Sequence, residues 1–212
     1  VVHLTAIVAE SPPESTFEKV NVTGTRNVVR EAGKSGVRRF VYVSSLGADR
    51  GESPYHRSKL RGEDVARTFD GNWVILRLGN VYGHGDEQLS LILKMVRTLP
   101  AVPIIAGGDR PFQPIWAGDA GEVLALAAER DGLAGRVLEV AGPEQTTFDN
   151  VVERLARITQ RDPIRIPVPV PLASMALRAA NALGADLPVD SGQLTMLGEG
   201  NVVTNPSGNA LT

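Results

Sequence analysis

The 212-residue sequence contains no cysteine. That excludes disulfides and thiolate metal sites, and it fits a reducing compartment. Strong charge of either sign is also lacking: 22 Lys and Arg stand against 24 Asp and Glu, a formal net charge of −2. A chain built to coat nucleic acid or anionic lipid would carry a basic excess, so neither is expected as a partner. No apolar run approaches the roughly 20 residues of a membrane span. Residues 1–9 have neither a basic region before them nor a cleavage site after them. A soluble, cytoplasmic protein without a membrane span is the expectation. Internal repeats are missing too. What remains is an ordinary globular composition, 42 % hydrophobic and 22 % charged. It has room for one well-packed domain, or one domain with a small appendage.

The first residue is Val, and Val1-Val2-His3-Leu4-Thr5-Ala6 reads as the end of a buried strand entering a loop. A chain that opens inside a strand is expected to be a piece of something longer. The other end, from Asn201 to Thr212, closes without a capped helix, so truncation is expected there as well.

Between the ends, short strand-like runs alternate with longer helical ones, the pattern of βαβ units and a parallel sheet. Helical periodicity over 17–32 stops at Gly33-Lys34-Ser35-Gly36, a helix-ending pattern. Residues 38–45 form a continuous β-branched and aromatic run that ends in the hydroxyls Ser44-Ser45. The spacing then predicts a helix over 54–69, a strand over 73–78 and a glycine-rich loop over 79–85. Helices over 89–98 and 117–129, a strand over 137–140 and a helix over 148–160 follow. From Pro163, proline alternates with aliphatics through Pro171. That excludes a central strand and leaves an extended connector or an edge segment. A helix over 172–183 comes next. A boundary near Ile164 divides the chain into residues 1–163 and 164–212.

The most specific chemical element is Tyr55-His56-Arg57-Ser58-Lys59, near the start of a helix and downstream of the Ser44-Ser45 strand end. Spacing i, i+4 puts the phenol and the ammonium on one helical face. A lysine there favours the phenolate and draws the phenol toward the range of a general acid or base. A serine hydroxyl at the strand end could bond the same substrate oxygen. These are the parts that move a proton on and off a carbonyl or alcohol while a cofactor moves the hydride. The plainer reading is a chance Tyr-x-x-x-Lys pair beside an ordinary strand-end turn. Order and context weigh against it.

Several stretches carry a resemblance in the right order. Val2-His3-Leu4-Thr5-Ala6 resembles a "V-x-H-L-A/T-A" strand end, and Asn21 to Val28 resembles an "N-V-x-G-T-x-N-V" helix start. Phe40 to Ser45 matches the hydroxyl-ended strand, and Tyr55 to Lys59 the active-site helix. Arg77-Leu78-Gly79-Asn80-Val81-Tyr82-Gly83 resembles "R-P-x-x-V-Y-G", with Leu78 in place of the usual proline. Gln113 to Ala120 and Val140 to Glu144 match later elements. Together they cover roughly residues 1–161 and resemble the short-chain dehydrogenase/reductase superfamily in its extended and atypical branches. The Ser44 to Ala48 stretch and the proline-rich segment are similar to the branch that includes the nucleotide-binding accessory subunit of respiratory complex I.

The resemblance implies an α/β fold: a Rossmann-type, doubly wound parallel sheet missing its first strands, with part of a small C-terminal substrate subdomain. It implies NAD or NADP as cofactor and a small-molecule substrate, with a protein partner or homodimer left open. By position, Ser45 would polarise the substrate oxygen, Tyr55 would be the acid/base, and Lys59 would hold the nicotinamide ribose and lower the phenol. Thr5 and Ala6 would line the adenosine side, Asn21 would shape its helix, and Gly79, Asn80 and Val81 would line the nicotinamide side. Two departures stand against catalysis. The G-x-x-G-x-x-G turn that receives the pyrophosphate does not occur in the sequence, and the Ser45-to-Tyr55 interval is short. Two functions follow: an oxidoreductase or epimerase/dehydratase, favoured, and a non-catalytic NAD(P)H-binding structural protein.

Other candidates are weaker. His3 reads as packed rather than ligating. His84 with Asp86 is not a coordination set, and no metal is expected. Arg77 reads as a structural pair, Asp119 as a helix cap, and Trp116 as core.

Overall fold

The computed structural model describes residues 1–105, 108–182, 199, 201–204 and 209–210. β1 (Val2–His3) leads through a loop to a π-helical segment, Glu18–Gly24, that runs directly into α1 (Thr25–Lys34). Gly36 takes a φ of +68° just past the end of α1, and Val37 N–H reaches back to Ala32 O. A residue without Cβ is needed for that left-handed turn. β2 (Arg39–Ser45), α2 (Pro54–Ala66) and β3 (Asn72–Leu78) follow. Next come β4 (Val81–Tyr82), α3 (Gln88–Thr98), β5 (Ala101–Ile105), β6 (Pro111–Phe112), β7 (Ile115–Trp116) and α4 (Ala117–Glu129). β8 (Arg136–Val140), β9 (Thr146–Thr147), α5 (Phe148–Thr159), β10 (Ile164–Val168) and α6 (Val170–Ala182) complete the described chain. Leu183, expected to close α6, lies outside the described residues.

The main sheet has the order β1-β2-β3-β8 and is parallel throughout. Successive side chains of a strand face opposite sides. On one face Phe40, Tyr42 and Ile75 pack with Val29 and Ala32 of α1 and with Ala66 and Phe69. On the other, Val41, Val74, Leu76 and Val140 pack with Ala120, Val123 and Ala127 of α4. Covering on both faces is why β2 and β3 read as unbroken apolar runs instead of alternating ones. The result is the Rossmann-type α/β arrangement.

A second cluster joins Ile92 and Val96 of α3, Val102 and Ile104 of β5, and Val152 of α5. Here β10 pairs in parallel with β5, Ile166 opposite Pro103 and Pro167 opposite Ile104. The proline-alternating segment is therefore an edge strand of a two-stranded sheet, one of its two expected forms. β5 was not anticipated. Each strand of this pair has one free edge, where a missing N–H breaks no ladder, so both accommodate proline.

Two sequence expectations are corrected. Trp116 is 53 % exposed, with its ring lying across Gly118. Asp119 lies within the first turn of α4 and does not cap it: the helix starts at Ala117 and has no side-chain cap. A carboxylate there still complements the positive end of the helix dipole.

Candidate active site at the carboxyl ends of the strands

Because the four strands run in parallel, their carboxyl ends share one edge, where ligands of open α/β sheets bind. The loop leaving β1 carries Thr5, exposed, and Ala6, half-buried. Ser45 ends β2 and is buried. Leu46 N–H donates to Leu78 O at 2.7 Å, which sets the end of β3 and Gly79 beside it.

Tight turns bring Tyr55 back to this edge. Ala48 N–H donates to Ser45 O, and Gly51 N–H to Gly47 O, where Gly47 has φ +85°. Ser53 then caps α2: its hydroxyl accepts His56 N–H at 3.2 Å, and Pro54 occupies the first turn, where its missing N–H is harmless. The Ser45 hydroxyl itself donates to Leu46 O at 3.4 Å. Burial pushes the Tyr55 phenol above its ordinary value, and the nearby Ser45 hydroxyl works against the rise.

Lys59 follows one turn later and is buried. Its ammonium donates to Val43 O at 2.7 Å and sits 4.7 Å above the centre of the Tyr42 ring. Burial holds it down at about 8, opposed by the Glu63 carboxylate. The expected lowering of the Tyr55 phenol by Lys59 is thus not what the structure gives. The spacing places both groups on one face, but a strand carbonyl and an aromatic face take the ammonium.

Asn21 is fully buried in the π-helical segment. Its side chain bonds Ile7 N–H (2.8 Å), Ile7 O (3.0 Å) and Ser58 Oγ (2.9 Å). It ties the loop after β1 to α2, a positioning contact. On the other side, Gly79 N–H donates to Val140 O, and a Cβ on Gly79 would collide with Gln113 O. Asn80 O accepts Ile115 N–H, and its side chain bonds Gln88 and Asn201. Val81 is 46 % exposed beside them.

Sequence reasoning missed two residues that organise this edge. Glu63, fully buried, accepts from Ser44 Oγ (2.7 Å), Arg77 Nε (2.8 Å), Arg77 Nη2 (2.9 Å) and Arg67 Nη2 (3.0 Å). Its signal was available: Lys59 and Glu63 on α2 and Arg67 at its C-cap recur at i, i+4. His56, 2 % exposed, meets Glu199 at 2.5 Å, a contact across too many residues for spacing to reveal. His3 is packed as expected, bonded to Thr25 Oγ1 at 3.0 Å and tilted against Phe40 and Tyr42. Asp86 accepts Leu89 N–H at the start of α3. Among the described residues no cluster of three or more His, Asp or Glu is placed to hold a metal ion.

A parallel sheet covered by helices on both faces defines a Rossmann-type α/β protein class. The model of the NAD dependent epimerase/dehydratase family matches residues 1–141, and the chain belongs to that family. Mitochondrial NADH dehydrogenase (ubiquinone) 1 alpha subcomplex subunit 9 of Rattus norvegicus is 29 % identical over 155 residues, 72 % of this chain and 41 % of the relative. A ceramide reductase of Caulobacter vibrioides is 28 % identical over 179 residues, 83 % of this chain and 56 % of the relative. The chain thus spans about half the length of these relatives. In fold it is similar to MoeE5 in complex with UDP-glucose and NAD, with a TM-score of 0.71 at 21 % identity, covering 98 % of this chain and 75 % of that one. It is likewise similar to UDP-glucuronic acid 4-epimerase of Bacillus cereus, with a TM-score of 0.70 at 17 % identity, covering 93 % and 74 %. No helix of the described residues is long and apolar enough to cross a membrane.

Proposed function

We propose that the protein is an NAD(P)-dependent oxidoreductase or epimerase/dehydratase acting on a secondary alcohol or carbonyl. The observation that carries this reading is the tight return of the chain, through the Ala48–Ser45 and Gly51–Gly47 backbone bonds, that starts the helix bearing Tyr55 and Lys59 close to the Ser45 end of β2. The residues present suit a dinucleotide. The exposed Thr5 and neighbouring Ala6 would face its adenosine side, Tyr55 and Lys59 its nicotinamide ribose, and Gly79, Asn80 and Val81 the nicotinamide side, with Asn21 holding the loop and helix behind. When bound, the dinucleotide supplies a hydride acceptor or donor. Tyr55 gives its phenolic proton to the substrate oxygen, or takes one from it, while the Ser45 hydroxyl donates a hydrogen bond to that oxygen. Lys59 would favour the phenolate once its ammonium turns from Val43 O toward Tyr55.

Residues 1–163 form the dinucleotide side in this reading, and residues 164–212 contribute to the substrate side. The structures of similar fold bound to UDP-glucose or UDP-glucuronic acid support a small polar substrate. The absence of cysteine supports a cytoplasmic setting.

A second reading is a non-catalytic NAD(P)H-binding protein held in a larger assembly by a protein partner or a second copy. The observation favouring it is the engagement of the Lys59 ammonium by Val43 O and the Tyr42 ring. The similarity to a subunit of an NADH dehydrogenase subcomplex supports it too. Turnover with and without the Tyr55 hydroxyl separates the two.

A further inference from the structure

The amides that enter a helix have no acceptor inside it. At α2 the Ser53 hydroxyl serves His56 N–H, which leaves the amides of Glu52 and Ser53 ahead of the first turn. Glu199 Oε1 accepts both, at 2.7 Å and 2.6 Å. Its other oxygen, Oε2, lies 2.5 Å from Nδ1 of the buried His56. One carboxylate therefore grips the chain on both sides of Tyr55, at two residues before it and at the residue after it. Burial alone would raise that carboxyl, but the His56 bond and the two amides together bring it below its ordinary value. An anion here also complements the positive end of the α2 dipole, and bonds to a charged acceptor are stronger than neutral ones.

Glu199 reaches this place from 143 residues beyond His56, and the chain around it is anchored independently. Arg50 donates to Val202 O at 2.5 Å and to Thr204 Oγ1 at 2.9 Å, and Thr204 N–H donates to Glu139 at 2.7 Å. Asn201 N–H donates to Pro111 O, and Asn201 O accepts Gln113 N–H. Gly51 leaves the necessary room: a Cβ on it would stand 2.3 Å from His56 Nδ1 and 2.9 Å from Glu199 Oε2. The Tyr55 ring projects from this fixed backbone, 5.5 Å from the His56 ring and edge-on to Phe17 at 6.2 Å between centres.

We propose that Glu199 is a positioning residue for Tyr55, a distant carboxylate that holds the start of α2 so that the phenol stands beside the Ser45 end of β2. The later part of the chain then completes the acid/base helix as well as contributing to the substrate side. The placing of Tyr55 is an inference from contacts alone. Its consequence for turnover rests on the enzymatic reading above.

The test is Glu199→Ala in the whole chain, read first by NMR. Amide hydrogen exchange at Glu52 and Ser53 should accelerate about 10- to 100-fold, as befits lost bonds to a charged acceptor. Cross-relaxation between the Tyr55 and Phe17 rings should weaken, while the amides of the β2–β3 ladder keep their protection and show the fold intact. With NAD(P)H and the best carbonyl compound of a panel, kcat should fall about 10- to 100-fold, and KM for the dinucleotide should stay within about twofold. Glu199→Gln keeps the shape and one oxygen acceptor, so it should do less in every readout. It keeps the test available if Glu199→Ala fails to fold. Unchanged exchange at both amides would overturn the inference. Faster exchange with the Tyr55–Phe17 contact and kcat unchanged would also overturn it, leaving Glu199 a tie of the loop only. Weakened ring contact in Glu199→Ala, with no turnover of any carbonyl by the wild type, would keep the positioning role and overturn the enzymatic reading. Wild-type turnover undiminished in Glu199→Ala would do the reverse.

Discussion

The Glu63 carboxylate lies 2.8 Å from Arg77 Nε and 2.9 Å from Arg77 Nη2, a two-pronged pair that fastens α2 to the end of β3. Glu63 also accepts a hydrogen bond from the hydroxyl of Ser44, the residue before Ser45. One buried anion therefore fixes both the strand end and the helix that bear the candidate chemistry.

Removing that anion leaves Arg77, 11 % exposed, without its main partner. Breaking a buried pair in this way costs about 3–5 kcal/mol. Glu63→Ala should lose stability on that scale in denaturant unfolding. A loss below about 1 kcal/mol would show the pair to be worth no more than a surface salt bridge.

Lys59 makes stability depend on alkaline pH. Its ammonium is held at about 8 against an ordinary 10.5, chiefly by burial. Below about 8 both folded and unfolded chains carry the proton, and the folded one pays the full desolvation penalty. As pH rises toward 10.5 the folded chain has lost the proton while the unfolded chain keeps it, so the penalty fades and stability rises. Relative to Lys59→Met, the wild type should gain about 3 kcal/mol between pH 7 and pH 11. Unfolding curves of both at several pH values check this. A pH-independent difference would contradict it.

The Ser45 hydroxyl lowers a Tyr55 phenol that burial raises. Ser45→Ala should therefore move the Tyr55 ionisation to higher pH. The shift is read as the difference between tyrosinate titrations taken with and without Tyr55→Phe. An unmoved titration would mean that the two hydroxyls do not meet.

Much of this was legible in residue order. β2 and β3 are buried on both faces, so aliphatic runs betray them, and the Ser53-Pro54 start of α2 is written in local chemistry. β5 stayed hidden because Pro103 argues against a strand until its edge position is known. The direction of the Lys59 ammonium was equally out of reach, since helical spacing fixes a face and not an end point: Val43 O comes from the neighbouring strand. The His56–Glu199 contact and the Asn201 acceptor depend on chain closure over long separations, where periodicity carries no signal. Trp116 was misjudged by its size: in β7 its ring lies over Gly118, on the outside.

The central claim is that Tyr55 exchanges the substrate proton. The direct measurement is single-turnover oxidation of NAD(P)H with a panel of carbonyl compounds, for wild type and Tyr55→Phe, beside a cofactor-binding isotherm for each. Losing the phenolic oxygen should lower the rate by roughly 10²–10⁴-fold and leave cofactor affinity nearly unchanged. Turnover that survives Tyr55→Phe undiminished, or tight cofactor binding with no turnover of any carbonyl by the wild type, would contradict the account.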